Sequence, residues 1–507
     1  MKQIITVDVG TTATKTALFD DSGKLLAKAQ AGYALHQTGN CVEQDPEDWW
    51  RALKEALTAV KPHIIDEAIE AVILGGQMQD LILLRNGQVM HPVILYVDTR
   101  ATVEIEEIES RVGRQRLIAS SGNVQDGSSL LAKVLWIKKH LPELYRKADT
   151  LLLGAHDYLS FRMTGSGNTD YTTASTTGLM DIRDRCWAKG LLHELDIRDD
   201  WLPSLVRADN RDGTLGPQAA SFLGIPEGVP VLHGSGDVGS ATIGAGAGEP
   251  GSTYCYLGTS GWVAESTDND SLADPETGIY NLCHPDPSRL IHVGPMLLAG
   301  GNLEWALKTI SSFPEQADRY DLFEKAAADV EAGSNGVLYL PWLAGERSPF
   351  KDPQARGCFI GLSRTTGQGQ LYRAVLEGVA LSMRSIREAI PGRSGRGGAL
   401  ILVGGGAGSD LWSQIFANVF GCDVFTIEDE EDVGSKGSAI IAGRSLGWFS
   451  SYLSLGDVLK VKKQFKADRR RKELYDRIYL SFRNTYPALK DLFSALAELR
   501  IMADTSR

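Results

Sequence analysis

The chain has 507 residues, and at roughly 150 residues per domain this makes two large lobes more natural than one core and excludes a lone binding module. Hydrophobic residues at 43% and charged residues at 23% are ordinary for a folded chain, so neither disorder nor a fibrous repeat describes it. With 52 Lys and Arg against 64 Asp and Glu, the net charge of −12 repels phosphate backbones and anionic lipid, which argues against nucleic-acid and membrane partners.

Met1 leads directly into an apolar strand without a signal-type hydrophobic region, and no run approaches the ~20 apolar residues of a membrane span, so a cytoplasmic protein is expected. A strand from Gln3 to Val7 runs into Asp8-Val-Gly-Thr-Thr12. This places a carboxylate at a strand end, followed by a tight turn whose N–H groups and two hydroxyls face one crevice, an anion cradle with a metal-side carboxylate. An Asx-type hairpin turn accounts for the motif in isolation equally well. Lys15, in the next strand, adds a cation suited to phosphate. Further on, Asp45 reads as an N-cap and Pro46 as the first helical residue. Trp49, Leu53, Ala56, Leu57 and Val60 follow at helical spacing before Pro62 ends the helix.

Short apolar runs ending in Gly or Pro predict buried strands at 71–74, 230–233, 253–257, 337–340 and 399–403. A helix over 370–390 carries a stripe of mostly small residues suited to close packing on a sheet. Strands alternating with helices place the chain in the α/β class. Within it, Asp237 is delivered by an apolar strand through Gly234-Ser-Gly236 into a helix of very small residues, where another lobe could close within contact distance. A carboxylate there can take a proton from a substrate hydroxyl; an N-cap role is the structural alternative. Ser252 to Ser260, with its continuation Trp262-Val-Ala-Glu265, repeats the strand, Gly-Thr turn, strand plan of Ile4 to Thr12, with Tyr256 where the first copy has Asp8. The second turn, Gly258-Thr-Ser260, can therefore hold phosphate oxygens but not a metal. Two lobes of related design explain the repeat, with a boundary near Glu249-Pro250-Gly251; chance likeness of two hairpins is the alternative. Gly404-Gly-Gly-Ala-Gly-Ser-Asp410 predicts a bare-backbone turn against which a flat ring can lie, with Ser409 or Asp410 as N-cap, although a plain helix entry explains it too. Basic residues from Lys460 to Lys472 predict a solvated helix face in a helical tail. The six cysteines (Cys41, Cys186, Cys255, Cys283, Cys358 and Cys422) are far apart, without zinc spacing, so buried free thiols are expected and no structural metal.

These pieces occur together with Gly76-Gln-Met-Gln79, Tyr96-Val-Asp-Thr-Arg100, Asp157-Tyr-Leu159, Leu340-Pro-Trp-Leu-Ala-Gly-Glu-Arg-Ser-Pro349, Ala355-Arg-Gly357 and Arg373-Ala-Val-Leu-Glu-Gly-Val379. In that order, from Ile4 to about Gly447, the chain resembles the FGGY carbohydrate kinases of the sugar kinase, Hsp70 and actin superfamily. The resemblance implies two RNase H-like lobes with the active site in the cleft between them. The expected division is residues 1–249 for the sugar and the catalytic base, 250–448 for the nucleotide, and a helical tail, 449–507, packed on the second lobe. It implies ATP and Mg²⁺. Asp237 would be the base and Asp8 the metal carboxylate, with Gly10, Thr11, Thr12, Lys15, Gly258 and Thr259 on the phosphates. Gly300, Gly405, Gly406, Ala407 and Asp410 would border adenosine. Gln77, Met78, Gln79, Asp98 and Arg100 would join Asp237 around the sugar.

In pattern the chain is closest to members that phosphorylate D-xylulose, which makes xylulose 5-phosphate the first expected product. Those members commonly carry Gln-Met-His-Gly where this chain has Gln77-Met-Gln-Asp80, Asn where it has Val238, and Asn-Asp-Gly-Arg where it has Val97-Asp-Thr-Arg100. Loss of polar groups at the sugar end leaves gluconate, another ketopentose or a signal sugar as alternatives. A non-enzymatic nucleotide switch or sugar-sensing pseudokinase is a further one, weakened by the intact Asp8, Asp237 and Gly-Thr turns. A homodimer is an open expectation.

Overall fold

The structure, a computed structural model, describes residues 2–268, 271–314, 318–391, 398–452 and 459–505. Strand Gln3–Val9 is buried along nearly its whole length, both of its faces being covered. It pairs antiparallel with Ala13–Asp20, which pairs with Leu25–Gly32. On its other edge it runs parallel to Ile69–Gly76, which is followed by Pro230–Gly236. The spatial order is thus third, second, first, fourth, fifth strand.

The second lobe repeats that order. Thr253–Leu257 lies antiparallel to Gly261–Asp268, which lies antiparallel to Arg289–Met296. Leu400–Val403 and then Val424–Ile427 extend the sheet in parallel on the other side. The duplicated hairpin is therefore one part of a duplicated sheet, and the fold is the two-domain α/β architecture that the resemblance implied.

Helix Pro46–Val60 forms as predicted, with Asp45 accepting from Glu47 N at 2.9 Å and Pro46 in its first turn. Its Trp49, Leu53, Ala56, Leu57 and Val60 are all buried. The larger of these each contribute roughly 1.5–3 kcal/mol by leaving water, an upper estimate. Helix Gln368–Ala389 presses its small stripe onto the second lobe: a methyl on Gly378 would sit 2.4 Å from the Tyr339 carbonyl oxygen.

The lobes meet through two helices, Asp237–Gly244 and Val433–Ser445, each following the fifth strand of its own sheet. A methyl on Gly437 would fall 1.8 Å from Ser240 O, and one on Gly244 the same distance from Val433 O, so only bare backbone allows this approach. The predicted close contact at the small-residue helix is therefore present. A shared core seals it, with Ile73 and Leu232 of the first lobe among Tyr254, Val403 and Ile440 of the second.

Two expectations are corrected. The tail is not wholly helical: Val461–Phe465 is an edge strand antiparallel to Val424–Ile427, and the helix runs only from Arg469 to Thr505. An edge strand tolerates Lys462 and Lys463, with Lys460 and Lys466 flanking it, because charge there keeps a sheet edge from pairing further. Residues 453–458 and 506–507 of the tail lie outside the described residues. The cysteines are free, but only Cys255 and Cys283 are buried; Cys186 is exposed and the other three are half-buried. Among the described residues no helix is long and apolar enough to cross a membrane.

Candidate active site

Register alone brings the first lobe's carboxylates together. Val9, Gly76 and Gly236 end three adjacent parallel strands at one level, where ligands bind in open α/β sheets. Asp8 lies one residue before that edge and Asp237 one residue beyond it. Glycine is required on the approach to Asp237. Gly234 has a φ of +83°, and a methyl on it would sit 1.4 Å from Leu74 O; a methyl on Gly236 would sit 2.1 Å from the Met78 sulfur. Asp237 is not an N-cap. It is the first helical residue, accepting from Val238 N at 2.7 Å, with its side chain open to the cleft.

Its carboxyl is pushed up to about 6, first by lost hydration deep between the lobes and then by the negative charge of Asp8. Asp8 is raised as well, by burial above all, while Lys15 and His156 pull it back. Lys15 stands directly opposite Asp8 in the hairpin register. The second lobe's helix starts alongside: a methyl on Gly434 would be 3.3 Å from Asp8 Oδ2. Two oxygen-donor carboxylates at one cleft, the charge of Asp8 raising the proton affinity of Asp237, form a donor set suited to a hard divalent cation, so Asp8 and its surroundings fit Mg²⁺.

The two turns face the same cleft. Thr12, Thr259 and Ser260 are exposed, whereas the Thr11 hydroxyl is engaged with Tyr96 Oη at 3.1 Å. Gly10 is braced from behind, its carbonyl accepting from the Tyr33 hydroxyl. Behind the second turn, Gly300 N donates to Gly258 O at 2.8 Å, and a methyl on Gly300 would sit 2.7 Å from that oxygen. A cavity of about 500 Å³ opens there, lined by Gly258, Thr259, Gly300, Gly405, Gly406, Gly408 and Ser409, with Leu303, Tyr320 and Phe323 as apolar wall. Its bare glycines and flat apolar wall fit an adenine ring. Ser409 is the N-cap of helix Asp410–Phe420, accepting from Trp412 N. Asp410 instead turns outward to Lys463 at 2.7 Å, and Ala407 is buried; neither lines the cavity.

Two family models match the chain: the FGGY family of carbohydrate kinases, N-terminal domain, over residues 3–244, and the C-terminal domain of the same family over residues 253–446. The chain belongs to the FGGY family of carbohydrate kinases. It is similar to the xylulose kinase of Bacillus subtilis (strain 168), with 32% identity covering 99% of this chain and 100% of that protein. Among solved structures, ligand-bound xylulose kinase from Lactobacillus acidophilus superposes with a TM-score of 0.90 at 26% identity, over 98% of this chain and 100% of that one. Gluconate kinase from Lactobacillus acidophilus also superposes at 0.90 and 26%, over 98% and 99%. This FGGY kinase is thus an ATP-dependent sugar kinase.

In the kinase the sugar-side residues divide. Gln77 is buried with Oε1 unpartnered, Met78 packs under Gly236, and Gln79 takes a φ of 64° at the turn. Asp98 and Arg100, expected at the sugar, hold each other. Arg100 Nη2 lies 2.7 Å from Asp98 Oδ2 and from Glu43 Oε1, its guanidinium lies over Trp136, and Asp98 also accepts from Val42 N.

Sequence reasoning missed Tyr96 as the link between the sugar side and the phosphate turn. It also missed the buried pair of Asp80, well raised by burial, and Lys133, which donates to Leu95 O. Asp80 stood out only as a departure from the family pattern, and Lys133 is hidden in an otherwise apolar helix. The family signature Arg373 to Gly378 proves to be internal to the second lobe. Glu377 accepts from Arg373 Nε, Gly333 N, Ser334 Oγ and, at 2.6 Å, the Tyr475 hydroxyl of the C-terminal helix.

Proposed function

We propose that this kinase transfers the terminal phosphoryl group of ATP to a hydroxyl of a small, neutral, open-chain sugar, with D-xylulose as first candidate and xylulose 5-phosphate as product. The observation that carries the reading is Asp237, glycine-delivered to the cleft at the head of a helix shared by both lobes and poised near 6. In this reading the acceptor hydroxyl forms the new O–P bond and gives its proton to Asp237, while the bond from phosphorus to the β-phosphate oxygen breaks to release ADP. Asp8 would hold Mg²⁺, and the ion would supply charge neutralisation at the phosphates. Gly10, Thr12, Lys15, Gly258 and Thr259 align the phosphates, and Gly300, Gly405 and Gly406 seat the adenosine.

Charge supports a neutral acceptor over an aldonate. Around the Gln77 to Asp80 turn stand Asp80, Asp98 and Asp237, while Arg100 is neutralised by Asp98 and Glu43 and Lys133 is buried against Leu95 O. With Arg100 and Lys133 both engaged, a gluconate carboxylate entering there gains no free counter-charge from either and faces Asp237 in the cleft. The test is ADP release with xylulose, ribulose, gluconate, glycerol and xylitol, on native protein and on Asp237→Asn. Asn keeps the shape but cannot take the proton, so at least about a hundredfold loss of kcat is expected, with ADP binding retained. A variant keeping more than about a tenth of the native rate would remove Asp237 from the role. A higher kcat/KM for gluconate than for xylulose would overturn the neutral acceptor.

A further inference from the structure

Beneath the catalytic edge lies a group of ionisable side chains that phosphoryl transfer does not use. His156 and Asp157 lie in the first turn of helix Ala155–Thr164, Asp170 ends strand Asn168–Asp170, and His233 belongs to strand Pro230–Gly236. All four are within 1% of complete burial. One donor atom from each lies within 4.8 Å of one from every other. His156 Nε2 is 3.1 Å from Asp170 Oδ1 and 3.2 Å from Asp157 Oδ1, and His233 Nε2 is 3.3 Å from that same Asp157 oxygen.

We propose that these four residues bind a structural zinc ion. A tetrahedral ion with bonds of about 2.0–2.1 Å places its donors about 3.3 Å apart, the spacing of the three edges above. Asp157 Oδ1 and His233 Nε2, although this close, are not aligned on each other as a hydrogen bond and have no other partner. Buried polar atoms are rarely left in that state, and donor atoms aimed at a shared ion are. Three of the four remaining atoms of the set are already occupied in the manner of metal ligands. His233 Nδ1 lies 2.7 Å from Asp212 Oδ2, and Asp212 is itself held by Ser160, Asn168 and Asn210, the carboxylate–histidine arrangement that fixes a ligating imidazole. Asp157 Oδ2 accepts from Leu153 N, and Asp170 Oδ2 from Thr172 N and Ser235 Oγ. His156 Nδ1 lacks a partner with or without an ion and does not discriminate.

Two imidazoles and two carboxylates match the borderline character of Zn²⁺ and neutralise its charge, whereas all-oxygen sites select Mg²⁺. The ion would pin three separate segments under Gly236, whose N–H lies 3.3 Å from Asp170 Oδ1, one residue before the catalytic base. Buried as it is, it would enter as the lobe folds.

The test uses the full chain, unfolded, stripped with a zinc chelator, refolded with and without ZnCl₂ and desalted. The expected result is about one zinc per chain by elemental analysis and a higher Tm than the stripped protein, both lost in His233→Gln and in His156→Gln. A reloaded native chain without bound zinc, or variants that hold as much zinc as native, would overturn the site. If the variants do not fold, native protein loaded with Co²⁺ decides alone. The intense visible absorption of tetrahedral cobalt is expected, and the weak absorption of octahedral cobalt would refute the proposal.

Discussion

The two lobes share a strand order and a Gly-Thr turn but differ at the residue two positions before each glycine. In the first lobe this is Asp8, opposite Lys15; in the second it is Tyr256, opposite Trp262, with the two rings stacked at 4.0 Å. One register position thus holds opposite charges in one copy and an aromatic stack in the other. The Tyr256 phenol, raised by burial and then by Asp8 and Asp237, belongs to the same electrostatic environment as the first-lobe carboxylates. Two differing positions make the repeated turns unequal: in the proposed function the first would hold an ion, while the second would only shape and donate.

The comparison breaks most readily at Asp8. Asp8→Asn should lower kcat at least about a hundredfold if the carboxylate organises the ion, since metal-borne charge stabilisation is worth several kcal/mol. It should also shift the pH profile in one direction. With Asp237 as the base and its carboxyl pushed up to about 6, native kcat/KM should rise with pH through about 6. Removing the neighbouring negative charge favours the ionised form, so the rising limb of the variant should move to lower pH. A limb that stays in place would mean that Asp8 and Asp237 do not sense each other.

Gly405→Leu probes the second lobe's share. A β-carbon there meets only Glu431 Oε1, at 3.5 Å, so the side chain grows into the cavity without disturbing the fold. ADP affinity should fall about tenfold, or 1.4 kcal/mol, with Tm unchanged. Undiminished affinity would move adenosine out of this cavity. The smallest effect is expected from Tyr256→Ala, which removes a stack worth about 0.5–1.5 kcal/mol beyond burial. Tm should drop while kcat stays within about threefold of native, less than the ~0.7 kcal/mol of barrier that such a factor represents. A loss of turnover as deep as that of Asp8→Asn would abolish the asymmetry between the lobes.

Much of this was legible in the chain itself. Apolar runs closed by Gly or Pro marked the central strands because a strand buried on both faces has no polar alternation to hide it. The spacing from Asp45 to Val60 marked a helix with its cap, and glycine on both sides of Ser235 marked a backbone that passes within contact of its neighbours. Asp8, Asp237 and the two turns stood out because each is a short local motif. What failed to show locally depended on partners far along the chain. Lys463 draws Asp410 away from the adenosine side across 53 residues. Arg100 is held by Asp98 and by Glu43, 57 residues away. The polar tail contributes a strand only because the exposed edge of Val424–Ile427 is there to receive it. His156, Asp170 and His233 come from three segments that meet only when the sheet forms, so no spacing along the chain marks their cluster. Composition and local pattern determined which elements form and which of them end in glycine turns, because those depend on the backbone's near neighbours. Which charges remain free for chemistry was decided by tertiary packing, because an ion pair or a ligand set is a matter of distance in space, and sequence separation says nothing about that.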